Sequence, residues 1–368
     1  MSSSGTINFI PSLPYRNRAQ FYQRFGTYDT GNWQGSVAIG TDKIVVNLGS
    51  GRMRSSQFYN ESAQADIIGV FDNTFINLGI KPFRGTEIRA FSFRNEREYE
   101  NIRLNDSLSA NFRAFILKLR YEGVELGVLD LFTSHQQDSG KDKTMFISSH
   151  KKDEESLIGF QYYLPIPHAS ISITGDLLRA VSDWNTSFGV IHSKRRQSNL
   201  TGVFALNEPE TQRDIGLKDL NIIFNWRSVF DSPDDDTQYL TNEGVWEEKG
   251  VQLSISAWNK QENSAVYLYS NLGNVFRIPG LNERYTHALR PIFFLSDSLM
   301  PEHKLMREIG LKLSNDKIIG QPAYSGTLSL FSYGYTNKMR PIHYSSTPMK
   351  FSVNHGNCLL YTSPSPRD

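Results

Sequence analysis

FILKLRYEGVELGVLDLF, Phe115 to Phe132, is the stretch that decides the fold. Its first half alternates with period two. Phe115, Leu117, Leu119 and Tyr121 share one face of an extended chain, and Ile116, Lys118 and Arg120 share the other. Glu122 and Gly123 turn the chain, and VELGVLDLF returns as a partner strand. An apolar face backed by a polar one is the mark of a strand with two different surroundings. The same pattern recurs on both sides. Ile76, Leu78 and Ile80 oppose Asn77, Gly79 and Lys81 in NTFINLGIKPF. Ile158, Phe160, Tyr162 and Leu164 align in SLIGFQYYL, and Trp184, Thr186, Phe188 and Val190 in WNTSFGVIH. Leu220, Ile222, Phe224 and Trp226 align in DLNIIFNWRS. The hydrophilic runs HQQDSGKDK, HSKRRQSN and NEPETQRD are predicted as the connections. The result is an antiparallel β-meander, which nature builds as a sandwich, a soluble barrel or a membrane barrel.

Composition narrows the choice only in part. The formal net charge is +1, so there is no field to attract nucleic acid. Aromatic residues make up 12%, with 17 Tyr and 23 Phe, yet the mean hydropathy is −0.42. A transmembrane barrel averages out as polar because lipid-facing and lumen-facing residues alternate. No apolar run is long enough for a spanning helix. The runs at 73–83, 109–121, 124–134 and 217–228 reach the roughly 9–11 residues that a tilted spanning strand needs.

The two ends carry their own reading. The single cysteine lies in CLLYTSPSPRD, residues 358–368. Written back as codons, this stretch matches a transposase sequencing adapter. It is set aside from fold reasoning, which leaves no cysteine for a disulfide, a thiolate nucleophile or a zinc-cysteine site. The expectation is a natural chain that continues beyond Asn357. MSSSGTINFIPSLPYRNRAQ shows no basic start followed by an apolar core. Either the chain has no signal peptide or the signal lies upstream of Met1.

After Phe230 the pattern changes. DSPDDD reads as a solvated acidic linker, because the spaced Gly and Glu of a calcium loop are missing. TQYLTNEGVWEEKG reads as a short helix, and VQLSISAWN and SAVYLYSN as strands. NERYTHALRPIFFLSDS reads as a helix capped by Asn282, with Tyr285, Leu289 and Phe293 at helical spacing, followed by the strand LMREIGLKLS. The expected organisation is therefore a β-meander or barrel segment over 1–230 and a small inserted α/β module over 231–323. A second β segment begins over 324–357, and the adapter occupies 358–368.

This order resembles the YjbH-like outer-membrane proteins of exopolysaccharide production, which combine β-barrel segments with a small α/β module. The likeness lies in PFRGTEIRAFSFRNEREYENI, in SLSANFRAFILKLRYEGVELGVLDLF and in TMFISSHKK, where Ser109, Ala110, Asn111, Gly127, Val128 and Asp130 fall at matching places. In the module it lies in VYLYSN, HALRPIFFLSDSLMPEH and IIGQP, so that it covers about 70–320. The family's N-terminal motif has no counterpart beyond FIPSLPYRNR. The resemblance implies an outer-membrane barrel with a periplasmic module that works without catalysis in exopolysaccharide export or assembly, beside periplasmic export components. The family has no agreed catalytic residues, so none is carried over.

The residues themselves offer no catalytic motif. HExxH, GxSxG, Walker A and GxGxxG are all missing, and the eight histidines are scattered. No cofactor or metal is expected. Basic residues recur along strands, and Arg89, Arg113, Lys118 and Arg120 are the candidates for a lumen surface facing an anionic polysaccharide. Tyr121, Phe132, Trp184 and Trp226 stand near strand ends and are the candidates for a membrane-interface girdle against outer-membrane lipid. The competing expectation is a soluble β-sandwich, a carbohydrate-binding module or virion structural protein, whose aromatics would be core.

Overall fold

The computed structural model describes residues 17–26, 30–57, 67–101, 105–123, 126–143, 148–186, 189–207, 215–235, 244–259, 264–280, 283, 299–315, 324–343, 350–354 and 358–362. The strands in chain order are β1 (Arg18–Phe25), β2 (Gly31–Gly40), β3 (Ile44–Gln57), β4 (Ile67–Ile80), β5 (Thr86–Asn101) and β6 (Asp106–Gly123). Next come β7 (Gly127–Lys143), β8 (Ser148–Ile166), β9 (Ala169–Thr186), β10 (Gly189–Asn207), β11 (Ile215–Asp235) and β12 (Gly244–Asn259). The last are β13 (Ser264–Arg277), β14 (Glu302–Asn315), β15 (Tyr324–Thr336), β16 (Met339–His343), β17 (Lys350–Asn354) and β18 (Cys358–Thr362). Strands pair in sequence order from β1 to β15, and β16 pairs with β17; β18, which lies beside β15, falls in the stretch 358–368 set aside above and carries no part of the argument. The predicted meander is present.

Two compact units divide the chain. One comprises Met1–Phe160, Asp176–Gln197 and Pro233–Gln238, the other Gln161–Gly175, Ser198–Ser232 and Tyr239–Asp368.

Burial follows the predicted alternation with the opposite sign to a soluble protein. In β6 the apolar row Phe115, Leu117, Leu119 and Tyr121 is exposed, with Phe115 at 45% and Leu117 at 40%, while Ile116, Lys118 and Arg120 between them are half-buried. In β4, Ile76 is 49% exposed while its neighbour Asn77 is 2%. The buried residues include Asn101, Asp130, Ser182, Ser193, Arg195, Asp231 and Glu302. A sandwich buries its apolar faces against each other in a core about 10 Å thick. Here, in each unit, the apolar faces point outward, a pattern that water would penalise over so large a contiguous area. The soluble-sandwich expectation is corrected on this ground.

Several local expectations change as well. HQQDSGKDK and HSKRRQSN, predicted as connections, lie inside β7 and β10. These strands extend beyond their apolar rows as polar, hydrogen-bonded ladders. DSPDD belongs to β11, where Asp231 is 1% exposed and pairs with Gly244. Of the α/β module expected over 231–323, the structure shows the strands. Gly244–Gly250, predicted as helix, is the start of β12, because register with β11 overrides the helical preference of Glu and Lys. The helix predicted over 282–298 falls outside the described residues except for Glu283. In β8 the exposed set runs Ile158, Phe160, then Tyr163, so the alternation slips by one before Tyr162.

The turn after β4 holds a backbone that only glycine suits. Gly85 has φ +78°, its carbonyl accepts from Glu122 N at 2.7 Å, and a Cβ there would strike the Glu122 carbonyl oxygen. This turn anchors the ends of β5 and β6, where the first candidate site lies.

Candidate functional site

Strand parity assembles the first cluster. Register places Glu87 opposite Arg120 and Arg89 opposite Lys118 across β5 and β6. Lys118 then faces Phe132, and Arg120 faces Asp130, across β6 and β7. All lie on the face opposite Leu117 and Leu119. Three of the four sequence-predicted lumen residues, Arg89, Lys118 and Arg120, are therefore brought together. Each has a carboxylate partner: Arg89 Nη2 to Glu87 at 2.9 Å, Lys118 Nζ to Asp130 at 2.8 Å and Arg120 Nη2 to Glu122 at 3.6 Å. The cluster is thus a compensated ion-pair ladder. A surplus of positive charge appears only at its turn end. There a cavity of about 530 Å³ is lined by Lys43, Lys81, Arg84 and Arg120 against Glu87 and Glu122.

Arg113 does not join them. It has the parity of Phe115, stands opposite Arg94, and its Nε donates to Asn111 Oδ1 at 3.3 Å. The lumen expectation for Arg113 is corrected by parity: two residues before Phe115 is the same face as Phe115.

The aromatic girdle splits in the same way. Tyr121 is 43% exposed on the apolar face. Trp226 is also on the apolar face, opposite Lys249 and one step along from the Phe224–Val251 pair. Phe132 instead lies on the polar face beside Lys118. Trp184 shares the face of Ala180 and Ser182, both buried, while Ile173 and Leu177 are exposed on the other. Its ring centroid is 6.0 Å from Lys151 Nζ. Position near a strand end does not fix the face; parity does.

Sequence reading missed a second cluster, on β13–β15. Tyr269 and Asn271 both donate to the Glu308 carboxylate, at 3.2 and 3.1 Å. Lys304 Nζ sits 3.9 Å from the Tyr333 ring centroid and 5.7 Å from that of Tyr335, and Lys338 Nζ sits 4.3 Å from Tyr335. Phe331 stacks on Tyr333 at 4.8 Å. Gly310 leaves the space that the Tyr269 ring occupies. All of these strand residues lie on the face opposite Leu305, Ile309, Leu311, Leu328 and Leu330, which are exposed. The signal was present in LSLFSYGYT, where Phe331, Tyr333 and Tyr335 recur at period two against Leu328 and Leu330. The stacked Phe331 and Tyr333 rings, with the Lys304 ammonium over Tyr333, combine π-surface and positive charge, while Tyr335, beside Lys338, is 4% exposed.

Among the described residues no group of three His, Cys, Asp or Glu side chains is placed to hold a metal ion.

Comparison with known proteins sets these faces in context. No family model matches the chain, and no curated protein does. Solved structures do match. The chain is similar to the copper transporter OprC at 10% identity and TM-score 0.72, over 92% of this chain and 56% of that one. It is similar to the alcaligin outer-membrane receptor FauA from Bordetella pertussis at 11% identity and TM-score 0.65, over 94% and 57%. It is also similar to the hemophore receptor HasR of Serratia marcescens, solved with its hemophore HasA and heme, at 10% identity and TM-score 0.65, over 93% and 59%. The chain spans between half and three fifths of the length of these proteins. Its fold is that of an outer-membrane β-barrel. The exposed apolar faces are the surfaces such a fold turns to lipid, which makes the outer membrane the chain's location.

Proposed function

We propose that this chain forms the wall of an outer-membrane receptor barrel that binds an anionic metal complex and passes it on chemically unchanged. The observation that carries the reading is the tyrosine–lysine cluster of Lys304, Tyr333, Tyr335 and Lys338 on the polar face. Flat chelates stack on phenol rings, and the ammonium groups compensate their charge where water is scarce. Three similar barrels, named for copper, alcaligin and heme, support a metal complex as the class of solute.

The orientation follows from the position of the apolar rows. Ile76, Ile80, Leu119 and Tyr121 lie next to the short connections 81–85 and 124–126. The strands overshoot toward the other end, where the connections are 58–66, the longest of those between β3 and β8, and the short 102–105 and 144–147. Outer-membrane barrels keep their long loops on the outer side, and on the strength of 58–66 the orientation proposed is 81–85 and 124–126 toward the periplasm.

The test is a titration of the purified, folded full chain with heme, a ferric hydroxamate and a copper chelate, followed by intrinsic fluorescence. At least one is expected to bind, with the affinity falling tenfold or more in Lys304→Met/Tyr333→Ala. Binding of none, or equal affinity in the variant, overturns the reading.

A second reading rests on a different observation. The basic rim of Lys43, Lys81 and Arg84 at the turn end suits an acidic exopolysaccharide, the client that the YjbH-like resemblance implies, met from the periplasm together with export components. Its sign is salt-sensitive binding of an acidic polysaccharide that is lost in Lys43→Gln/Arg84→Gln and indifferent to Tyr333.

A further inference from the structure

The outward face of β4–β7 does not change abruptly from apolar to neutral. The last row with apolar members is Leu48, Ile76, Ser92, Phe115 and His135. The next residues on the same face are Ser50, Thr74, Arg94, Arg113 and Gln137, in register across five strands. Two arginines thus stand directly opposite one another at the edge of the apolar band, an arrangement that repels unless an anion lies between them. Protein carboxylates compensate only one. Arg94 pairs with Glu96, which also accepts from Asn111 at 2.8 Å, and Arg52 pairs with Asp72 at 3.6 Å in the row above. Among the described residues Arg113 makes no ion pair; its contact is Asn111.

Farther along the same face lies a recess of about 600 Å³. Val70, Glu98, Ser109 and Lys141 form one row across it, and Ile68, Glu100, Ser107 and Lys143 the next. Tyr99, Leu108 and Asp142, of the opposite parity, line it as well, together with Ser148, Ser149 and His150, so the recess lies at the strand ends where the two faces meet. Serine hydroxyls, ammonium groups and carboxylates are the donors and acceptors that sugars and their acidic substituents use. Arg113 to Ser109 is four residues, roughly 13 Å along a strand. The order along this face is therefore apolar surface, guanidinium pair, polar recess. That is the order of acyl chain, phosphate and sugar in a phosphorylated glycolipid.

From this we infer that the outward face of β4–β7 is a binding site for the lipopolysaccharide of the outer leaflet. Its acyl chains lie on Ile76, Phe115 and Leu117, a phosphate sits between Arg94 and Arg113, and core sugars enter the recess at Ser107, Ser109, Lys141 and Lys143. The site rests on the orientation given above and is independent of the solute bound on the polar face. Reversed orientation would bring the arginines to the phospholipid leaflet, so lipid class decides between the two.

The experiment uses the folded full chain in neutral detergent, with fluorescent lipopolysaccharide, the same lipid after phosphatase treatment, and phosphatidylglycerol as separate probes. The expected result is binding of lipopolysaccharide at least tenfold tighter than of either other probe. Arg94→Gln/Arg113→Gln is expected to lose that tenfold, and Arg94→Lys/Arg113→Lys to keep most of it. Folding of each variant is checked by heat-dependent gel mobility, and Arg113→Gln alone replaces the double variant if that fails. Equal binding of phosphatidylglycerol, or unchanged lipopolysaccharide affinity in the glutamine variant, overturns the site. The heme, hydroxamate and copper titrations are expected to be the same in these variants as in the wild type, so failure of the lipid site is distinct from failure of the solute reading.

Discussion

Leu117→Arg places a charge on the middle of the apolar row that runs from Phe115 to Tyr121 on β6. That row covers seven residues, six steps and roughly 20 Å of strand. Leu117 lies opposite Ala90 on one side and Thr133 on the other, so no carboxylate is at hand to pair with a new guanidinium. Its side chain is 40% exposed, and in a bilayer that exposure is to hydrocarbon. An arginine near the midplane of a barrel's lipid face costs about 2–4 kcal/mol. Ile116→Arg, on the opposite face among existing charges, serves as the control and is expected to cost under about 1 kcal/mol. Reversible urea unfolding from lipid vesicles reads both, since the free energy falls linearly with denaturant. If the face met water instead, Leu117→Arg would be an ordinary surface change within about 0.5 kcal/mol. Equal stability of the two variants, within that margin, refutes the lipid-facing assignment of this row.

Three further outcomes follow from the polar face and the strand extensions. Lys118→Met removes the ammonium paired with Asp130, 7% exposed, and leaves only Arg120 across from it, itself paired with Glu122. A broken buried pair costs about 3–5 kcal/mol, reduced to about 2 kcal/mol by the partial exposure of Lys118; Lys118→Met/Asp130→Asn is expected within about 1 kcal/mol of the wild type, measured by the same unfolding. Gly310→Ala drives a methyl into the Tyr269 ring and is expected to destabilise by about 1–3 kcal/mol, falling below about 1 kcal/mol in a Tyr269→Ala background. Burial, and then the charge of Asp106, hold the Asp142 carboxyl above its ordinary 3.8, so the fold favours the protonated acid. That contribution is complete below 3.8 and disappears as pH rises through the folded-state value. Asp142→Asn is therefore expected to be more stable than the wild type at neutral pH and to lose that advantage in acid, read from unfolding midpoints against pH.

Single strands revealed the existence of strands, and not their surroundings. The alternation of Phe115, Leu117 and Leu119 against Lys118 and Arg120 is equally that of a sandwich or a barrel, since both need one apolar face. The sign of burial separates them, and it depends on what the apolar faces meet. Candidate residues were legible only when counted by parity. Arg89, Lys118 and Arg120 share a face by arithmetic on the chain, and the same arithmetic excludes Arg113 and Phe132. The tyrosine–lysine cluster was hidden because Lys304 and Tyr333 lie on different strands, and register between strands is set by pairing over the whole length. Charged runs such as HQQDSGKDK read as connections because their side chains are hydrophilic on both faces. Their backbone is nevertheless paired, as Asn111 opposite Ser139 shows.

The most direct measurement is labelling of single cysteines placed in turn at residues 115 to 120 of the folded chain in vesicles, with Cys358 replaced by serine. Each is exposed to a membrane-confined thiol reagent and to a water-soluble one. The account predicts strict alternation: positions 115, 117 and 119 react from the bilayer, while 116, 118 and 120 react only with the water-soluble reagent. Labelling of 115, 117 and 119 from water, or no alternation along the strand, would contradict it.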